Sequence, residues 1–135
     1  MVFVSVSAIG FAQQNTLTVN ITGISSIKGD VYVYLYTSEE GFPIEISKAS
    51  GFKKFKVTKN SMTVYFKNLN LGIYAVSVYQ DIDTNGKINQ NFLGIPKEPV
   101  GVSNNAKGFM GPPKYEDAKF YLDTSKSIEI KLNAK

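Results

Sequence analysis

A group of oxygen-bearing side chains falls in one short polar segment near the middle of the chain. They lie at alternate positions and are Asp81, Asp83, Asn85 and Asn89. Gly86 permits a sharp reversal among them, and the main-chain carbonyl of Lys87 would supply a further oxygen. Oxygen ligands of mixed charge suit a hard cation, above all calcium. The spacing therefore predicts a calcium loop.

The segment matches the first nine positions of a calcium-binding loop and then departs from it. The twelfth position is Phe92, where an EF-hand loop has a bidentate glutamate, and no flanking helices are predicted. We therefore expect a ligand from outside the loop, and Glu98, held between Pro96 and Pro99, is the nearest carboxylate. With two or three carboxylates, the expected Kd for calcium is roughly 0.1–1 mM, as in extracellular modules.

The same residue types also suit a tight connection between strands that binds no metal. Asn85-Gly86 is a strong hairpin signal, and Asp and Asn side chains satisfy backbone N–H groups in Asx turns. Both interpretations stay open at this point. A catalytic pair drawn from Asp81, Asp83 and Glu98 fits less well, because acids on a polar loop lack the burial that raises the pKa of a general acid.

The composition excludes several other kinds of site. The chain has 135 residues and contains neither histidine nor cysteine. It therefore lacks the usual general base near neutral pH, a thiolate nucleophile and the usual zinc ligands. The fifteen basic residues are all lysine, mostly scattered, and arginine for bidentate phosphate recognition is absent. We predict a protein that is not an enzyme and that has no nucleic-acid partner.

The first residues differ from the rest of the chain. Residues 1–12 carry no charge and are rich in apolar and small side chains. Gly10 and Ala12 fit the small positions before a signal-peptidase site, with Gln13 as the first mature residue. The basic start of a signal peptide is missing, so residues 1–12 are predicted to be a truncated one; an ordinary strand is the alternative. The expected location is the periplasm, the outer surface or the medium, with no transmembrane segment.

The remainder, residues 13–135, is predicted to be one β-sandwich domain. Runs of apolar and β-forming side chains, most of them alternating with polar ones, indicate strands near residues 16–22, 31–36, 52–57, 62–67, 73–79, 118–122 and 128–132. The run at 73–79 is apolar on both faces, which predicts a central strand, whereas the lysine-rich run at 52–57 predicts an edge strand. About seven strands favour an all-β, antiparallel sandwich of the immunoglobulin or transthyretin type.

The second predicted strand offers a different candidate site. Its aliphatic side chains fall on one face, and the other face has a row of tyrosines, namely Tyr32, Tyr34 and Tyr36. If the row is exposed, the phenol rings form a platform for a cell-surface glycan or a partner protein. If a neighbouring loop covers the row, the tyrosines are packing residues. The sequence leaves the ligand and the partner open.

Longer motifs carry a family resemblance. They are D-x-D-x-N-G-K-I-N from residue 81, N-F-L-G-I-P-K-E-P-V-G-V-S-N-N from residue 91, and G-P-P-K-Y-E-D-A-K-F from residue 111. G-D-V-Y-V-Y-L-Y at 29–36 and F-K-N-L-N-L-G-I-Y-A-V at 66–76 fit as well. Together they resemble a family of small exported bacterial proteins catalogued as domain of unknown function 2141. The resemblance implies an exported β-sandwich without an assigned reaction.

The family pattern can be carried over residue by residue. The shared positions are Asp81, Asn85, Gly86, Gly94, Pro96, Glu98, Gly101 and Ser103. The glycines, Pro96 and Ser103 would have structural roles in shaping the segment. The chain departs from the family at Gln80, where histidine is usual, and at Asn89, where aspartate is usual. If the motif binds metal, both departures would weaken or alter the site.

Overall fold

The computed structural model describes residues 15–84, 98–108 and 111–133. These ranges contain eight strands: β1 Asn15–Thr22, β2 Asp30–Tyr36, β3 Gly51–Lys56, β4 Met62–Leu69, β5 Gly72–Asp81, β6 Val100–Val102, β7 Phe120–Leu122 and β8 Lys126–Lys131. One helical turn, α1, spans Tyr115–Ala118, and 3₁₀ turns lie at Ile46–Lys48 and Ser103–Asn105. The predicted signal peptide at 1–12 lies outside the described residues. The all-β prediction is confirmed.

The smaller sheet has the strand order β4-β1-β8. Every second residue of β1 is buried, including Leu17, Val19 and Ile21, as the alternating pattern predicts. β1 runs antiparallel to β4 but parallel to β8, with Val19 opposite Ile128. The expectation of a wholly antiparallel arrangement is therefore wrong for this pair. Short hairpins enforce antiparallel pairing only between strands adjacent in the chain, and β1 and β8 stand at opposite ends of it.

The larger sheet has the order β3-β2-β5-β6, and β7 pairs with the beginning of β5. All of these pairs are antiparallel. β5 is central and buried from Tyr74 to Asp81, and β3 lies at the edge, as predicted. The strand at Val100–Val102 was not anticipated, because three residues beside proline and glycine are too few to establish a period.

The two sheets share one hydrophobic core. The aliphatic face of β2, formed by Val31, Val33 and Leu35, packs there with buried residues of β1, β4, β5 and β8, which confirms the predicted inward face. Burying such a side chain contributes about 1.5–3 kcal/mol, so this core is the main stabilising feature of the fold. The opposite face of the larger sheet is also covered. In the described part of the chain, no helix has the length and apolar content needed to cross a bilayer.

Candidate metal centre

Asp81 occupies the last position of β5 and is fully buried. The chain turns immediately afterwards: the Thr84 amide donates to the Asp81 carbonyl at 3.4 Å, and the Thr84 hydroxyl donates to the Asp83 carbonyl at 2.7 Å. Thr84 has a φ of 54°, a left-handed conformation that is uncommon for a β-branched residue. Such strain concentrates at functional sites, where surrounding contacts maintain it. The turn places Asp83 close to Asp81.

Glu98 approaches this turn from the other side. It is 7% exposed, and its Oε2 accepts a hydrogen bond from the Ile82 amide at 2.8 Å. The Gln80 amide donates to the carbonyl of Pro99 at 2.9 Å, and the β5–β6 ladder begins with Tyr79 opposite Val100. The glutamate is therefore held against the end of β5 by backbone pairing on its C-terminal side.

The three carboxylates converge. One oxygen from each of Asp81, Asp83 and Glu98 lies within 4.8 Å of the other two, with Asp81 and Glu98 buried and Asp83 exposed. The structure thus brings together the two loop aspartates and the distant glutamate that the sequence placed in one site. The other predicted ligands, Asn85, Lys87 and Asn89, lie outside the described residues. So do the predicted motif residues Gly86, Gly94 and Pro96.

The size of a cation limits how far apart its oxygen ligands can lie. Calcium binds oxygen at 2.3–2.6 Å, so two of its ligands can stand up to about 5 Å apart on opposite sides of the ion. Magnesium binds at 2.0–2.1 Å, which limits that separation to about 4.2 Å. The three oxygens lie no more than 4.8 Å apart, a limit that the calcium shell accommodates and that does not by itself select against magnesium. A divalent cation between the three groups would also offset the repulsion among their charges.

Gln80 does not belong to this cluster. Adjacent residues of a strand point to opposite faces, so Gln80 lies on the core side, beside Val31, while Asp81 lies on the other. Gln80 is fully buried, and its Nε2 donates to the carbonyls of Ser26 at 2.7 Å and Lys28 at 2.9 Å. The expectation that a departure at this position alters the metal site is therefore corrected. The side chain stabilises the β1–β2 connection.

The residues that follow Glu98 have a structural role, as predicted for Gly101 and Ser103. A Cβ on Gly101 would come within 2.8 Å of both Ile130 Cγ2 and the Lys131 carbonyl, so β6 packs directly on β8. Ser103 is fully buried, and its hydroxyl accepts from the Val76 amide at 3.0 Å and donates to the Ala118 carbonyl at 2.6 Å. These contacts fix the strand that follows Glu98.

Sequence reasoning missed two neighbouring asparagines. Asn104 and Asn105 have φ values of 62° and 48°, the left-handed region that asparagine tolerates. The Asn104 Nδ2 donates to the carbonyls of Asp117 and Lys119, and the Asn105 Oδ1 accepts from the Lys131 amide at 2.9 Å. An Asn-Asn pair that follows a glycine-containing strand by one residue is the signal that indicates such a turn.

The tyrosine row is interior packing. Tyr32, Tyr34 and Tyr36 are 9%, 2% and 0% exposed. Phe42 and Ala49, from the connection between β2 and β3, pack against them, and the Tyr36 hydroxyl donates to a carbonyl of that connection at 3.2 Å. The hypothesis of an exposed platform for a glycan or partner is therefore corrected. The covering loop, which was the alternative, is what the structure has.

The buried phenols carry perturbed pKa values. Burial raises the pKa of Tyr34 above its ordinary value of 10.0, although a hydrogen bond with Tyr79 opposes the shift, and the charge of Asp81 adds to it. Burial also raises the pKa of Tyr79, assisted by the same hydrogen bond and by Asp81. Burial likewise raises the pKa of Tyr36. The tyrosine cluster therefore adjoins the carboxylate site electrostatically.

These shifts predict alkaline destabilisation. Below about pH 10 the folded and unfolded states both keep the tyrosine protons, so the contribution to stability is constant. Above that pH the unfolded chain ionises first, and the free energy of unfolding falls by up to about 1.4 kcal/mol per pH unit for each buried tyrosine. Urea unfolding from about pH 9 to pH 11 measures this slope.

One variant tests the contribution of a buried phenol. Tyr79→Phe removes a buried titrating group and should give a shallower slope than that of the native chain. A native slope of zero up to about pH 11 would contradict the burial of these hydroxyls.

Comparison with known proteins agrees with the motifs. The sequence profile of the family described as "Uncharacterized protein conserved in bacteria (DUF2141)" matches residues 19–131, and the chain belongs to that family. The matched range includes all three carboxylates and the G-V-S-N-N motif. No significant match was found among curated proteins or among solved structures.

Proposed function

We propose that this family member is an exported, non-catalytic binding or accessory module that calcium stabilises, built as a sandwich of the immunoglobulin or transthyretin type. The observation that carries the proposal is the convergence of Asp81, Asp83 and Glu98 within 4.8 Å. Three carboxylates with a spread that suits calcium form a site of modest affinity. Such a site would be filled outside the cell, where calcium is abundant.

The geometry also supports a structural role for the ion. Asp81 and Asp83 precede residues 85–97, and Glu98 follows them, so a bound cation would join the two ends of that segment. It would also link the end of β5 to the residues that lead into β6. Calcium that binds only the folded chain stabilises it by mass action.

Burial argues for an ion as the ligand and against a sugar. A glycosidase must admit the scissile bond between two carboxyl groups, one of which acts as an acid. Asp81 and Glu98 are 0% and 7% exposed, so the expectation that these acids lack burial is wrong, and Glu98 already accepts a hydrogen bond from the Ile82 amide. A small cation can enter on the side of exposed Asp83, whereas a glycan cannot reach both buried carboxylates.

A melting experiment tests the proposal. Thermal unfolding of the full chain is measured in about 10 mM calcium and in chelator. With a Kd of roughly 0.1–1 mM, calcium adds about 1.4–2.7 kcal/mol to the free energy of unfolding and raises Tm by roughly 4–10 °C. Magnesium at the same concentration should raise Tm much less. An unchanged Tm in calcium would overturn the proposal.

Matched variants identify the site. Asp83→Asn removes one charge from an exposed carboxylate and should abolish most of the difference in Tm between calcium and chelator. Asp123→Asn makes the same change in an exposed turn between β7 and β8, and should keep the full shift. Equal shifts in both variants would place calcium elsewhere.

A further inference from the structure

A groove lies between the free edges of the two sheets. It has a volume of about 480 Å³ and is lined by Lys53, Phe55, Thr63, Val64, Tyr65 and Lys67. Phe55 and Tyr65 are 41% and 50% exposed, so each presents an aromatic surface to solvent. The groove belongs to β3 and β4 and is separate from the carboxylates at the end of β5.

Each strand that forms the groove is the last strand of its sheet in the described part of the chain. Among the described residues, β3 pairs with β2 alone and β4 pairs with β1 alone. The outer edge of each strand therefore offers main-chain donors and acceptors to a further strand. Four of the six lining residues come from β4, so β4 is the strand along which an extended segment would add.

The positive charge around the groove indicates which kind of partner would bind there. Residues 46–80 contain six lysines and no acidic residue, although the whole chain has a net charge of only +4. Lys54 forms an ion pair with Asp30, and Lys48 forms one with Glu40. Lys53 and Lys67 have no carboxylate within ion-pairing distance in the described part of the chain. A second copy of the chain would bring lysines against lysines, so the complementary partner is acidic.

The side chains of an added strand would meet both lysines. Lys53 and Phe55 lie on the inner face of the β3 edge, whereas Tyr65 and Lys67 lie on the outer face of β4. Successive residues of the added strand point to opposite faces. Each face of the added strand would thus find one lysine and one aromatic ring, which suits acidic residues beside small apolar ones on both faces.

We propose that this groove binds an extended acidic peptide segment of a partner protein, which adds as a strand along β4. Main-chain hydrogen bonds provide affinity, and Lys53 and Lys67 provide selectivity for acidic residues. The Lys53 Nζ lies 5.7 Å from the centroid of the Phe66 ring, which holds the ammonium group at the groove. The site is distinct from the calcium cluster and does not depend on it.

A labelled peptide of about twelve residues that repeats Glu-Glu-Val-Thr is the probe, with fluorescence anisotropy on the full chain as the measurement. We expect saturable binding that weakens with added salt. Lys53→Gln combined with Lys67→Gln should weaken binding by roughly tenfold or more, since two charge contacts are lost. The control pair, Lys107→Gln with Lys114→Gln, removes the same charge from exposed positions beyond β6 and should stay within about twofold.

Two further ligands distinguish strand addition from simple attraction of anions. The same peptide methylated on alternate backbone nitrogens keeps its charge but loses main-chain donors, so its binding should be much weaker. An oligogalacturonate of equal charge should also bind weakly. Equal binding of either ligand and the parent peptide, or no saturable binding of the parent peptide, would overturn the proposal.

Discussion

Replacing Gly29 with alanine is expected to lower the free energy of unfolding by about 3 kcal/mol or more. Gly29 precedes β2 with a φ of 69°, and a Cβ there would collide with the Asp81 carbonyl oxygen and come within 2.9 Å of Ile82 Cα. The obstructing atoms are backbone, so relief requires movement of the end of β5. Urea unfolding monitored by tyrosine fluorescence or circular dichroism measures the loss.

The same substitution should also weaken the calcium response, because it displaces the turn that holds Asp81 and Asp83. Gly111→Ala is the matched control: its Cβ would meet nothing within 4 Å, and the change should cost less than about 1 kcal/mol. If Gly29→Ala and the control had the same free energy of unfolding, the turn before β2 would not be packed against Asp81. The description of how the site is positioned would then be wrong.

The second large effect is expected at Ser103. Ser103→Ala removes the hydroxyl that accepts from the buried Val76 amide and donates to the Ala118 carbonyl. The amide and the carbonyl then lose this hydrogen-bond partner at a fully buried position. Each unsatisfied group costs about 1–3 kcal/mol, so the loss should be about 2–4 kcal/mol. Differential scanning calorimetry should record a fall in Tm of roughly 10 °C or more.

Ser125 provides the comparison for the serine change. Its hydroxyl accepts from the Thr16 amide at 3.0 Å in an exposed position, where water can replace it. Ser125→Ala should therefore cost less than about 1 kcal/mol. A loss of similar size in the two variants would mean that Ser103 does not connect β5 with α1 in the way described.

The carboxylate cluster was largely accessible from sequence because its residues have a local signature. Alternating acidic positions after an apolar strand indicate oxygen ligands, and a carboxylate fixed between two prolines is a natural partner for them. The structure brings Asp81, Asp83 and Glu98 together. Period-two alternation likewise identifies the inward face of β2, because burial of one strand face leaves a regular pattern.

The remaining features depend on contacts between distant parts of the chain. Nothing local to β8 specifies that it pairs parallel with β1, and the three-residue β6 is stabilised by β5 rather than by its own propensity. The burial of Tyr34 depends on a loop that folds back over the sheet. The orientation of Gln80 follows from the register of β5 with β2, which strand alternation alone does not determine.

Terbium luminescence sensitised by tyrosine is the most direct test of the proposed calcium centre. Tyr34 and Tyr79 lie near enough to Asp81 for its charge to raise their pKa values, so they can transfer excitation energy to an ion in the cluster. We predict that terbium bound to the native chain gives saturable emission and that calcium displaces the terbium at roughly 0.1–1 mM. Glu98→Gln should abolish this emission, whereas Asp123→Asn should preserve it. Equal emission from the two variants, or none from the native chain, would contradict a cation site formed by Asp81, Asp83 and Glu98.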